Sequence, residues 1–194
     1  MTMHDVPAGQ PLPRGVRLGV DVGMARVGVA GSDPDCILAT PIRTLKRDPR
    51  RDSDIGVLVR EARERGAVQI FVGLTRTMKG GESESTRVAR DYAGRLVRAL
   101  TAADLQVSVN LVDERLTTVT AHRSLHNAGV GSREHRRVVD QVAAVEILQQ
   151  AIDMQRSLGR DVGTVVPPPA GGRTAGNEGP GLSQEEHYGA GETQ

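Results

Sequence analysis

The alternation of apolar and polar positions divides the chain into short strands and longer helices. Val16 to Ser32 holds two brief apolar runs on either side of a glycine-containing turn, which predicts an opening β-hairpin. Asp33-Pro34-Asp35 reads as a turn, and Ile37 to Leu45, with Pro41 inside it, as a third, edge-type strand. Polar residues Lys46 to Asp54 lead into a helix over Ser53 to Arg65, with Ile55, Leu58, Val59 and Ala62 on one face. Val68 to Leu74 is apolar almost throughout, as expected of a central strand covered on both faces. Beyond a loop at Thr75 to Gly81, Val88, Tyr92, Leu96, Ala99 and Ala103 recur at helical spacing, while Arg87, Arg90, Arg95 and Arg98 lie mostly off that stripe. Val107 to Val112 is a further strand, and Thr117 to Asn127 a candidate helix. The last helix, Arg133 to Arg156, carries Val139, Val142, Ala143, Val145, Leu148, Ala151 and Ile152 as its apolar stripe. A hairpin and edge strand followed by alternating helices and strands predict an α/β domain with a mixed five-stranded sheet and helices on both faces.

Composition sets the limits of that domain. Residues 1–15 are polar and read as a flexible arm, residues 16–158 as the folded unit, and 159–194 as a disordered acidic tail. The part of the tail from 167 onward opens on three prolines and holds seven glycines, so it buries too little to offset its ordering entropy. Removing 160–194 is therefore expected to leave the fold intact. No apolar run is long enough for a membrane span and no apolar signal region opens the chain, which points to the cytoplasm. The single cysteine, Cys36, excludes an internal disulfide and a Cys-based zinc site, and reads as a buried, inert thiol. Residues 16–158 hold 22 basic and 18 acidic side chains, an excess too small to establish nucleic-acid binding. With Phe71, Tyr92 and Tyr188 as the aromatics, recognition of a nucleic acid would rest on backbone and shape rather than base stacking.

Carboxylates stand where chemistry would need them. Asp21 lies among apolar neighbours at the end of the first strand, as either a turn cap or a ligand. Asp113 and Glu114 lie at the end of the last strand, and Asp140 in the final helix beside its apolar stripe. If the first and last strands are neighbours and the helix packs on the sheet, these acids converge at the carboxyl ends of the strands. Clustered carboxylates repel unless cations share the site, and Mg²⁺ or Mn²⁺ prefers such oxygen ligands. Two such ions, about 4 Å apart, can drive phosphodiester hydrolysis. Strand alternation lets one of Asp113 and Glu114 face the site, and the longer Glu114 is preferred as catalytic and metal ligand with Asp21 and Asp140. Arg26, Arg76, Lys79, Arg115, Arg136 and Arg137 are the candidate phosphate-binding groups. Gly23 and Gly28 read as a tight turn that lets a nucleic-acid backbone come close.

Four motifs, in order, carry a likeness to one family. Val20-Asp21-Val22-Gly23-Met24-Ala25-Arg26-Val27-Gly28-Val29-Ala30 resembles the D-x-G-x-x-R-x-G-x-A opening of the YqgF/RuvX family, and Val72-Gly73-Leu74 its V-G-L-P loop, with Thr75 in place of proline. Asp113-Glu114-Arg115-Leu116-Thr117-Thr118 is similar to its D-E-R-[LF]-[TS]-T motif, and Asp140 to Gln149 to its D-x-x-A-A-x-x-I-L-Q helix. The resemblance implies a ribonuclease H-like fold and a metal-dependent nuclease related to Holliday junction resolvases of the RuvC type. It implies Asp21, Glu114 and Asp140 as the acidic positions, with Asp113 a further candidate. It also implies two roles: trimming the 5′ end of precursor 16S ribosomal RNA, and resolving branched DNA. The second requires two sites on a two-fold axis, hence a homodimer. An actin-like ATP-binding protein is a competing class, but it needs a second Asp-x-Gly hairpin and more chain. A non-catalytic nucleic-acid-binding module is another, against which the retained acids argue.

Overall fold

The computed structural model describes residues 12, 14–74, 83–113 and 133–169, with side chains of the last helix described from Val139 onward. The described strands are β1 (Val16–Val22), β2 (Arg26–Ser32), β3 (Ala39–Lys46), β4 (Ala67–Leu74), β5 (Ser108–Asp113) and β6 (Thr164–Val165). They form one sheet in the order β3-β2-β1-β4-β5-β6. The β1–β2–β3 meander is antiparallel, β4 is parallel to both β1 and β5, and β6 closes antiparallel on β5. The described helices are α1 (Ser53–Glu64), α2 (Glu84–Ala102) and α3 (Arg133–Leu158).

Each face of the sheet is covered, which explains the unbroken apolar run of β4. On one side Leu18, Val20, Val27, Val29, Ile70 and Val72 pack with the stripes of α1 and α2, including Ile55, Leu58, Tyr92 and Leu96. Helix α2 starts at the Ser83 hydroxyl, which accepts the Thr86 N–H at 3.1 Å and satisfies one open donor of the first turn. On the other side Ala30, Phe71 and Val112 meet Ala144, Ile147, Leu148, Ala151 and Ile152 of α3. The buried stripe of α3 is thus rotated from the expected one: Val139 and Val142 are 40% and 44% exposed. Small Ala144 and Ala151 sit in the contact instead, for a reason given by two glycines of the sheet below. Cys36 is buried, as expected, with its thiol donating to the Gly15 carbonyl at 3.2 Å.

The sheet has six strands rather than five, because the chain stays on the domain beyond residue 158. Gly159, at φ 62°, ends α3 with its N–H on the Gln155 carbonyl, 2.9 Å. The chain then turns back to the sheet. The Asp161 carboxylate accepts hydrogen bonds from the side-chain amides of Gln69 (2.9 Å), Asn110 (3.2 Å) and Gln155 (2.8 Å). Val162 is buried, and Thr164–Val165 pair with β5 before Pro167-Pro168-Pro169. The expected boundary at 159 is therefore displaced toward the prolines. Residues 1–11 and 13 of the expected arm 1–15, the candidate helix 117–127 and the tail from 170 lie outside the described residues.

Candidate active site

Alternation along β1 fixes where Asp21 points. Val20 and Val22 belong to the core under α1 and α2, so Asp21 between them turns to the α3 face, where it is half-buried. Its partner across the hairpin is Gly28. Side chains opposite each other in such a pair are about 5 Å apart, so whatever covers Gly28 stands next to Asp21. What covers it is the backbone of α3. A Cβ placed on Gly28 would come within 2.6 Å of the Asp140 carbonyl carbon, and closer still to its oxygen. At Gly19, further along the same face, a Cβ would meet Leu148 Cβ at 2.6 Å and the Ala144 carbonyl oxygen at 2.7 Å. Two glycines thus form a slot into which the small side of α3 sinks. Gly28 gives its space to this helix, not to a nucleic-acid backbone as the sequence led us to expect. Gly23 does make the turn, its N–H bonded to the Arg26 carbonyl at 2.8 Å.

Asp140 is held over this spot by charge as well as packing. Arg26 lies on the same face of β2 as Gly28, and its Nε donates to Asp140 Oδ2. The two side chains are 32% and 21% exposed, so the pair is open to an incoming anion or cation. Asp21 of β1, Arg26 of β2 and Asp140 of α3 therefore lie on one face of the sheet, at the tip end of the hairpin.

Asp113 does not join them. The condition for convergence, the first and last strands as neighbours, does not hold: β4 stands between β1 and β5, so their ends are two strand spacings apart, about 10 Å. Val112 packs under α3, and alternation turns Asp113 to the opposite face from Asp21. Glu114, Arg115, Arg76 and Lys79 lie outside the described residues. Arg136 and Arg137 belong to the first turns of α3, but their side chains are not described. Among the described residues no three His, Cys, Asp or Glu side chains gather as a metal site.

A mixed sheet of this order with helices on both faces is the ribonuclease H-like scaffold, the class found in RuvC nucleases. Thermus thermophilus RuvC, solved in complex with a Holliday junction substrate, superimposes with a TM-score of 0.52 at 14% identity, over 78% of this chain and 99% of that one. A family model described as "RuvX: Holliday junction resolvase" matches residues 15–154. A Kineococcus radiotolerans protein named "Putative pre-16S rRNA nuclease" is 48% identical over 167 residues, covering 86% of each chain. One of the same name from Frankia casuarinae is 52% identical over 141 residues, 73% of this chain and 68% of that one. The chain belongs to the RuvX family, and with it to the nucleases, hydrolases of nucleic-acid phosphodiesters.

Proposed function

We propose that this protein is a divalent-metal-dependent endonuclease that trims the 5′ end of precursor 16S ribosomal RNA in the cytoplasm. The observation that carries the reading is the seating of Asp140 over Gly28, the cross-strand partner of Asp21. It brings two carboxylates from distant parts of the chain to one face. The likeness of Asp113-Glu114-Arg115 to the family's motif supports Glu114 as the third. This set of hard oxygen donors suits Mg²⁺ or Mn²⁺, which Asp21, Glu114 and Asp140 would hold. The chemistry supplied by such ions is Lewis-acid activation of water and charge compensation at the leaving 3′ oxygen.

The protein's own groups do the positioning. Asp21, fixed in a strand between buried valines, gives the site its rigid carboxylate. Arg26 neutralises Asp140 and keeps a guanidinium within reach of a phosphate, where its planar fork can make two parallel hydrogen bonds. Arg76, Lys79, Arg115, Arg136 and Arg137 take the role of further phosphate contacts. Ribosomal RNA is the substrate favoured by the names of the relatives, and a bacterial precursor RNA would be met in the cytoplasm.

The reading is tested by comparing cleavage of a precursor 5′-leader RNA with that of a synthetic four-way DNA junction, each in Mn²⁺. The RNA is expected to be cut. Asp21→Asn should lower the rate by at least the roughly 100-fold that even outer partners of a metal ligand can cost. Mn²⁺ binding by calorimetry should weaken in parallel. Cleavage by Asp21→Asn at the parent rate would refute the site. Preferential cleavage of the junction, with a dimer in sedimentation, would replace the RNA by branched DNA.

A further inference from the structure

We propose that a groove on the other side of the hairpin tip from Asp21 binds the phosphodiester backbone of the substrate strand beyond the cleavage position. This rests on the nuclease reading above and extends it. The groove encloses about 390 Å³ between Met24 at the tip, Arg47 and Pro49 after β3, and Arg87, Asp91 and Arg95 of α2. It belongs to the α1/α2 side of the sheet, whereas Asp21 faces α3 and Asp140 is part of that helix. The Arg47 N–H bonds the Ala25 carbonyl at 3.0 Å, which ties the groove to the tip. Only Val22 and Gly23 separate Asp21 from Met24 along the chain, and Met24 is 65% exposed. A strand held at Asp21 passes over Met24 into the groove.

Two of its cations are fixed in place before any ligand arrives. Arg47 is nearly all buried, with its guanidinium 4.5 Å above the Tyr92 ring and 3.3 Å from the fully buried Asp54 carboxylate. Among the described residues its Nε has no hydrogen-bond partner, and neither has the buried Tyr92 hydroxyl. The buried Asp54 carboxylate balances the Arg47 charge and the Tyr92 ring carries its flat face, so the guanidinium is fixed where it lines the groove. Arg95 is held by Asp52 (Nε to Oδ2, 3.1 Å) and by the Pro49 carbonyl (2.7 Å). Asp91 stands 3.7 Å from Arg95 and partly offsets it. Arg87 is exposed on the wall and, among the described residues, pairs with no carboxylate. Between the apolar walls of Met24, Pro49 and Val88, a deep arginine, a braced arginine and an open one are the cationic points available to successive phosphates. The one ring present is covered by Arg47, so bases have nothing to stack on and the groove reads the backbone.

Binding is measured by fluorescence anisotropy with the labelled 5′-leader RNA and the four-way junction, in an Asp21→Asn background that does not cut them. Arg87→Glu should weaken binding at least about tenfold and make the salt dependence shallower by about 0.7–0.9 in log–log slope, the loss of one phosphate contact. Arg98→Glu makes the same charge change on the same helix, about 16 Å further along its axis. It is exposed and outside the groove, and should bind as the parent does. In the cutting enzyme, Arg87→Glu should raise KM more than it lowers kcat. Equal affinity and equal salt slope for Arg87→Glu and Arg98→Glu would overturn the groove while leaving the catalytic site standing. Failure of the Asp21→Asn parent to bind either nucleic acid would overturn both readings together.

Discussion

Replacing Gly28 by alanine adds one methyl group at the point where α3 meets the sheet. Its nearest neighbours are the carbonyl carbon and oxygen of Asp140, which are backbone and cannot rotate away. Reaching the 3.4 Å of ordinary contact from 2.6 Å requires a shift of about 0.8 Å at the carbon and more at the oxygen. Helix α3 is also seated at Gly19 through Leu148 and Ala144, so it must tilt as a body and carry Asp140 away from Asp21. Overpacking of this kind costs about 1–3 kcal/mol, or a fall of about 2–12 °C in Tm for a domain of this size. A displacement near 1 Å in a catalytic constellation costs about 100-fold in rate. The expected outcome for Gly28→Ala is a folded protein with a lower Tm, roughly 100-fold slower cleavage and weaker Mn²⁺ binding. Gly31→Ala, three residues along the same strand, is the control. Its Cβ would meet Ile42 Cδ1 at 2.8 Å, the end of a flexible side chain that can turn aside. Parent-like cleavage and Mn²⁺ affinity in Gly28→Ala would refute the argument that this contact sets the distance between the two acids.

Two further predictions concern stability. Asp161→Ala leaves the buried amides of Gln69, Asn110 and Gln155 short of an acceptor and should cost about 1–3 kcal/mol; thermal melts should show truncation after 159 to be worse and truncation after 169 harmless, and equal melting of both truncations would contradict it. Asp33 Oδ2 accepts the N–H groups of Ile37 (2.9 Å) and Leu38 (2.7 Å), which hold its carboxyl below the usual 3.8. A depressed folded value stabilises above the unfolded one and is lost as pH falls through it. Asp33→Asn should therefore flatten the decline in Tm below pH about 4, and an unchanged acid limb in that variant would discount the turn.

The strands and amphipathic helices were legible because their periodicities are local. Asp21 was legible as an anomaly, a charge between valines, and alternation alone assigns its face. The sheet order was not: adjacency of β1 and β5 was the simplest way to gather the acids, yet β4 lies between them, and no local pattern records it. The rotation of α3 was hidden for a related reason. Val139 and Val142 look like core by hydropathy, but the contact selects small residues because the sheet offers glycines there. That signal was present in Gly19, Asp21 and Gly28 sharing one face. Strand β6 has two residues and no period, and a polar network holds it, so composition alone placed it in the tail.

The sheet's two margins share a property that bears on the protein's behaviour at high concentration. β3 is one margin, with Pro41 inside it and Arg43 and Lys46 along it. β6 is the other, and Pro167-Pro168-Pro169 follow it almost at once. A proline has no N–H to offer an incoming strand, and charged side chains repel a second copy of the same edge. The molecule is therefore guarded on both flanks against growth of its sheet into another molecule. Among the described strands the margins therefore favour helices or loops over strands as the surface for any self-association.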